Sequence, residues 1–331
     1  MSTTIKDVSK MAEVSTATVS NVITGKKYVT PEVRERVFAC MNKLGYSPNI
    51  AARALKSNKT YNIGVIVPDI TNPFFGEILK SIQTELSKTD YQMIVCDTDQ
   101  KVEKERRMLT GFLTARQVDA IILVAPRLPV EAFPQNATIP IVVVDRPPFQ
   151  NNSNLSFVYS DNRTSSAMIA SYAFNAGYRK FVCIAGPENV PNANLRLEGF
   201  TDQLVAYGIK RESITVRRIE FTFEQGFDAM VQILAKRKTD ERIAAFVCSD
   251  IAAWGALEAI KVGGVHINED IGLIGYDDSF FSKLLELSTY QTPTGQMGSI
   301  ACSIILKKLE DASYCMPETK VSGQLKIRKT I

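Results

Sequence analysis

From Asp7 to Asn21 the chain reads Asp-Val-Ser-Lys-Met-Ala-Glu-Val-Ser-Thr-Ala-Thr-Val-Ser-Asn, a pattern of two short helices joined by a tight turn. Thr4 stands where it can cap a helix starting at Ile5, with Asp7 in its first turn beside the positive end of the helix dipole. That helix runs to about Ala12. Ser15 can cap a second helix over residues 16–23, and Gly25 supplies a C-terminal stop. A third starts at Thr30-Pro31, with proline at the first helical position, and runs to about Lys43. Val8, Met11, Val14, Val19, Val22, Val33, Val37, Met41 and Leu44 can then form one small core. The second helix carries small polar residues at its start and apolar residues behind them, a shape that can enter a DNA major groove.

Charge is unevenly placed. Residues 1–60 hold ten Lys/Arg against four acids, a surplus of +6, while the remainder of the 331 residues holds 29 against 31, or −2. A basic unit joined to a near-neutral body suits nucleic-acid contact by that unit alone; a merely solvated basic face gives the same count. After Ser47-Pro48-Asn49, residues 50–55 are too short for a stable isolated helix, and Ser57-Asn58-Lys59-Thr60 reads as a polar linker.

From Ile63 short apolar runs alternate with amphipathic stretches. The runs are 63–67, 93–96, 120–124, 141–144, 181–185, 244–248 and 272–275; the helical stretches are 75–87, 102–116, 165–176, 194–207, 223–235 and 251–262. Strands buried on both faces and separated by helices indicate parallel α/β sheets. With the strand-like 215–220 and 324–327 runs there are about nine such units, too many for one ordinary sheet, which indicates two lobes with a boundary near Ser160-Asp161. Ligands of open parallel sheets sit beyond the carboxyl ends of the strands. Asp69, Phe74, Phe75, the 186–196 loop with Arg196, Phe221, Asp250, Trp254 and Asp277-Asp278 all fall there. Rings that stack on sugar faces, together with charged groups that hold hydroxyls, suit a polyhydroxylated ligand. The other reading makes the rings core aromatics and the acids helix caps.

Several functions are disfavoured by what the chain holds. With one histidine, His266, and no Cys-x-x-Cys pair, a zinc site is not expected, and histidine-based acid–base catalysis has little material. Nucleophile-elbow, P-loop and zincin motifs are missing, so no enzymatic activity and no cofactor are expected. Cys96, Cys183 and Cys248 lie in apolar runs and read as buried thiols of a reducing compartment. No stretch approaches the ~20 apolar residues of a membrane span and the first residues lack a signal core, so a cytoplasmic location is expected.

The chain resembles the lactose-repressor (galactose-repressor) family of bacterial transcriptional regulators. The likeness rests on Ile5-Lys6-Asp7-Val8, Val14-Ser15-Thr16-Ala17-Thr18-Val19-Ser20, Gly45-Tyr46-Ser47-Pro48-Asn49, Ala52-Arg53-Ala54-Leu55 and the run from Ile63 through Asn72-Pro73-Phe74-Phe75. Asp161-Asn162, Arg196-Leu197-Glu198-Gly199-Phe200, Asp250 and Ile274-Gly275-Tyr276-Asp277-Asp278 extend it over nearly the whole length. The resemblance implies an all-α helix-turn-helix headpiece with a hinge helix, followed by an α/β two-lobed domain like the periplasmic binding proteins. The corresponding divisions are 1–48 for DNA binding, 49–60 for hinge and linker, and 61–331 for effector binding and dimerisation. A homodimer on a pseudo-palindromic operator is implied. Thr16, Ala17 and Asn21 would face base edges, with Thr4, Lys6, Ser15, Thr18, Ser20, Asn49 and Arg53 completing the DNA-contacting set. Asn21 departs from the arginine most usual in the family; arginine suits guanine and asparagine adenine. Leu55 would be an apolar wedge in the minor groove.

The resemblance also places Phe74, Phe75, Asp161, Asn192, Arg196, Phe221, Asp250 and Asp277 at or near an effector cleft; Trp254 joins them from its place at a helix start. Purine-binding members carry an arginine and a threonine where this chain has Val190 and Asn192, which favours a sugar or sugar derivative. Two other readings share the fold: a regulator governed by a phosphorylated carrier protein, and a transport sugar-binding protein, which has no use for residues 1–60. The chain ends soon after a strand-like 324–327 run without a leucine heptad tail, so a dimer rather than a tetramer is expected.

Overall fold

A computed structural model describes residues 3–25, 27–46, 59–133, 137–146, 155–316 and 318–331. The chain divides into two compact units, Met1–Thr60 and Tyr61–Ile331.

The first unit holds α1 (Ile5–Met11), α2 (Thr16–Thr24) and α3 (Pro31–Lys43). Asp7 closes the start of α1 by accepting from both the backbone N–H and the hydroxyl of Thr4, each at 2.8 Å. These bonds hold the Asp7 carboxyl below its ordinary range. Ser15 Oγ accepts the Thr18 N–H at 3.0 Å, and Gly25 ends α2 in the left-handed conformation that glycine adopts without a Cβ clash. Pro31 opens α3. The core is Val8, Ala12, Val19, Val22, Val37 and Met41, with Val14, Val33 and Leu44 packed against it. Met11 is a correction: it is 40% exposed. Helix α1 stops at Met11, and Ala12 turns inward in its place. Residues 49–58 of the expected hinge, with Asn49, Arg53 and Leu55, lie outside the described residues.

In the second unit the strands are β1 (Asn62–Val67), β2 (Gln92–Asp97), β3 (Ala120–Val124), β4 (Ile141–Val144), β5 (Leu155–Ser160), β6 (Lys180–Ala185), β7 (Thr215–Arg218), β8 (Ile243–Val247), β9 (Ile271–Asp277), β10 (Ser288–Gln291), β11 (Glu318–Val321) and β12 (Gln324–Lys326). The helices are α4 (Pro73–Leu86), α5 (Val102–Ala115), α6 (Asn162–Asn175), α7 (Pro191–Ala206), α8 (Phe223–Leu234), α9 (Asp250–Val262), α10 (Phe280–Leu284) and α11 (Thr294–Glu310). One sheet has the order β11-β5-β4-β3-β1-β2 and the other β12-β10-β9-β8-β6-β7. The pairings are parallel except for β10 with β12. The chain therefore passes between lobes after β5, between β10 and α11, and between β11 and β12.

Both sheets are covered on two faces, as their continuous apolar runs require. Ile63, Val65 and Val67 of β1 pack toward α4 and α11, while Ile66 packs toward Leu109 and Phe112 of α5. In the second lobe Phe181 and Cys183 of β6 face Ile169 and Phe200, and Val182 and Ile184 face Met230 and Ala256. Cys183 and Cys248 are buried as expected, but Cys96 is only half-buried, because β2 is an edge strand with one flank open. Among the described residues no helix is long and apolar enough to cross a membrane.

Candidate functional site

Expected site residues come together on two surfaces, one in each unit. On α2, Thr16 and Ala17 are exposed and Ser20 and Asn21 half-exposed, while Val19 and Val22 are buried. At 3.6 residues per turn the first four fall within an arc of roughly 140°, turned away from the two valines. Ser15 and Thr18 lie outside that arc, engaged with each other at the helix start, where their hydroxyls are 2.9 Å apart. Thr4 and Lys6 are exposed on α1.

The second surface is a cleft between the two lobes. It is lined from the carboxyl ends of β1, β2, β3, β4, β6, β7, β8 and β9, the position that parallel sheets offer to ligands. From the first lobe come Asn72, Phe74 and Phe75 at the start of α4, Gln100, Arg127, Asp145 and Arg146. Asn72 caps α4 through the Phe74 N–H at 3.1 Å, and Pro73 fixes the first turn, so the two rings sit at the cleft edge-to-face, 5.2 Å apart. From the second lobe come Asn192 and Arg196 of α7, Phe221, Ser249 and Asp277. Gly186 leaves room for Phe221: a methyl group there would overlap the ring.

Arg196 is the centre of the second-lobe wall. Its Nε donates to Asn162 Oδ1 at 2.6 Å and its Nη1 to the Cys248 carbonyl at 2.7 Å. Its guanidinium lies 3.8 Å from the Tyr276 ring centroid, and Nη1 is 3.9 Å from Asp277 Oδ1. Burial pushes the Asp277 carboxyl well above its usual range, against the opposing pull of Arg196 and with the help of Asp250 and Asp145. Burial likewise raises Asp145 to about 6, opposed by Arg196 and by a side-chain hydrogen bond from Asn192. Asn192 crosses the cleft, its Nδ2 donating to the Asp145 carbonyl at 2.7 Å.

Two signals mark this cleft as built for a guest. Ala125, Asp145 and Asp277 hold φ of +43°, +56° and +131°, backbone strain that non-glycine residues seldom keep without a local purpose. Asp145 Oδ1, Asn192 Oδ1 and Ser249 Oγ are buried without a hydrogen-bond partner among the described residues. Such atoms are costly unless something else satisfies them.

Of the nine residues expected at the cleft, Phe74, Phe75, Asn192, Arg196, Phe221 and Asp277 line it, and Asp161, Asp250 and Trp254 do not. Asp161 caps α6 through the Thr164 N–H at 3.1 Å and accepts from Lys320 at 3.2 Å. Asp250 is fully buried and accepts from the Ser279 N–H and the Ser282 and Thr289 hydroxyls. Trp254 donates to Ser282 Oγ at 2.9 Å and packs edge-on against Phe281. Asp145, Gln100, Arg127 and Ser249 were not anticipated. Each follows a strand by one to three residues, and that offset was the available signal.

Residues 4–49 match the profile of bacterial regulatory proteins of the lacI family, and residues 170–331 match a periplasmic binding protein-like domain. The chain is 30% identical to the ribose operon repressor of Halalkalibacterium halodurans, over 99% of this chain and 97% of that protein. It is 32% identical to the transcriptional repressor CytR of Escherichia coli, over 93% and 90% of the two chains. A lacI-family transcriptional regulator from Silicibacter pomeroyi has a similar solved structure, with a TM-score of 0.80 at 28% identity over 99% of each chain. The chain belongs to the lacI family of bacterial regulatory proteins. A lacI-family member is a DNA-binding regulator, not an enzyme; the first matched segment lies within the first unit of the fold and the second covers residues 170–331 of the second unit.

Proposed function

We propose that the chain represses transcription as a homodimer in the cytoplasm, with a small carbohydrate in the interlobe cleft adjusting its affinity for a pseudo-palindromic operator. The observation that carries the effector assignment is the set of unpartnered buried oxygens of Asp145, Asn192 and Ser249 in a cleft edged by Phe74, Phe75 and Phe221. Acceptors between aromatic rings suit a molecule with hydroxyls around its rim and C–H groups on its faces. The name of the ribose operon repressor, similar over nearly all of its length, supports the same class. Effector contacts are assigned to Phe74, Phe75, Asp145, Asn192, Arg196, Phe221 and Asp277. Asp250, Trp254 and Asp161 are assigned to the framework that holds them.

On DNA, Thr16, Ala17 and Asn21 read base edges, and Thr4, Lys6, Ser15, Thr18 and Ser20 contact the backbone. Asn49, Arg53 and Leu55 belong to the same assignment through the family motif, with Leu55 as the minor-groove wedge. Titration calorimetry of the full chain against neutral mono- and disaccharides tests the effector class. Saturable heat from one or a few sugars is expected. Heat from none would turn the assignment toward a protein co-effector.

A further inference from the structure

The charges of the cleft narrow the class of ligand, on the reading that it takes a carbohydrate. Three guanidinium groups line it, and each already faces a carboxylate. Arg196 has Asp277 at 3.9 Å, and it also acts on Asp145. Arg127 pairs with Glu220 across the lobes at 3.3 Å and donates to Gln100 Oε1 at 2.6 Å. Arg146 donates to the Pro126 and Leu128 carbonyls, at 3.3 and 2.7 Å, and its charge is offset by buried Glu105. Each of the three cations is therefore already engaged within the cleft wall. Of the three unpartnered oxygens at the cleft, Asp145 Oδ1 and Asn192 Oδ1 can only accept, while Ser249 Oγ can donate or accept.

A carboxylate or phosphate entering this space would bring further acceptors against the idle oxygens of Asp145 and Asn192, and its negative charge would lie beside the Asp145 carboxylate. The cations that could compensate are already turned to their own partners. A sugar hydroxyl instead donates to the idle oxygens and adds no charge. Like charges juxtaposed in a desolvated site are strongly disfavoured.

We infer that the cleft selects an uncharged, hydroxyl-donating sugar and rejects sugar acids and sugar phosphates. The discriminating group is the Asp145 carboxylate, with the Asn192 amide oxygen beside it as a second acceptor. Asp145 stands on the first lobe, across the cleft from Arg196 and Asn192, and is the one to change.

The test is calorimetry of the full chain with neutral pentoses and hexoses, each beside its terminal carboxylate and its terminal phosphate. The expected result is binding of a neutral sugar, with both anionic partners at least about a hundredfold weaker. The carboxylate controls for the bulk of the phosphate, since it is close in size to a hydroxymethyl group. In Asp145→Asn the ratio of anionic to neutral affinity should rise about tenfold, an increase that misfolding cannot produce. An anion binding as tightly as its neutral parent, or a ratio unchanged in Asp145→Asn, overturns the inference while leaving a carbohydrate effector in place. Heat from no sugar of any charge overturns the carbohydrate reading, and this inference with it.

Discussion

Asn21 and Asp250 show how differently two polar side chains can serve one regulator. Asn21 stands half-exposed on the outer arc of α2, and its backbone carbonyl accepts the Gly25 N–H at 2.8 Å. In the proposed role its side chain specifies a base, and asparagine matches adenine where arginine matches guanine. In vitro selection of operators with the parent and with Asn21→Arg should give consensus sequences that differ at one symmetric position per half-site. Identical consensus sequences would remove Asn21 from base reading. Asp250 does the opposite: it faces no solvent and gathers three donors from α10, β10 and the loop between β9 and α10. Burial lifts its carboxyl to about 6, above the unfolded value near 3.8, so the folded protein holds the extra proton between those limits. Its ionisation therefore weakens the fold above about pH 6, and that cost is relieved as pH falls. Relative to Asp250→Asn, the parent should gain stability in denaturant titrations as pH is lowered from about 7 to about 5. A pH-independent difference would contradict the burial argument.

At the scale of elements, helix pairing depends on small residues at close approaches. Gly298 of α11 lies against α4 so tightly that a methyl group would meet the Ser81 hydroxyl and the Ile78 carbonyl. Gly298→Ala should lower stability by about 1–3 kcal/mol through forced separation of the two helices, read as a lower denaturation midpoint with the slope unchanged. The headpiece helices were legible because caps, Pro31 and Gly25 mark their ends chemically, and the central strands because they are apolar throughout. Other elements left weaker marks. Strand β10, Ser-Thr-Tyr-Gln, is polar yet buried; its hydroxyls are matched to Asp250 and to the C-terminal segment, as where the Arg328 N–H donates to Ser288 Oγ. Strand β5 follows an Asn/Ser-rich stretch that reads as loop, and β11 is an edge strand of Glu-Thr-Lys-Val. Helix α11 has glycines in its first turns, which mask an otherwise regular apolar stripe from Met297 to Ile305. The cleft was half legible for a related reason. Family motifs mark Arg196 and Asp277, but spacing alone does not tell a carboxylate that lines a cavity, such as Asp145, from one such as Asp250 that is consumed by its own framework.

For the whole molecule, the three crossings between lobes make the cleft the place where a ligand can act on both halves at once. Contacts already span it: Asn192 reaches the Asp145 carbonyl, and Arg127 reaches Glu220. A ligand that binds one arrangement of the lobes better than another shifts the population between them, by no more than its difference in affinity for the two. Linkage then requires that any effect of the sugar on operator binding be matched by an equal effect of operator on sugar binding.

The central claim, that a sugar in the cleft sets the hold on DNA, is tested most directly by fluorescence anisotropy of a selected operator duplex. The full chain is titrated with and without saturating amounts of the sugar found by calorimetry. The operator Kd is expected to change by between about fivefold and about a hundredfold, and Arg196→Ala is expected to abolish the change while the sugar-free protein still binds the duplex. An operator Kd unaffected by a sugar that demonstrably occupies the cleft would contradict it.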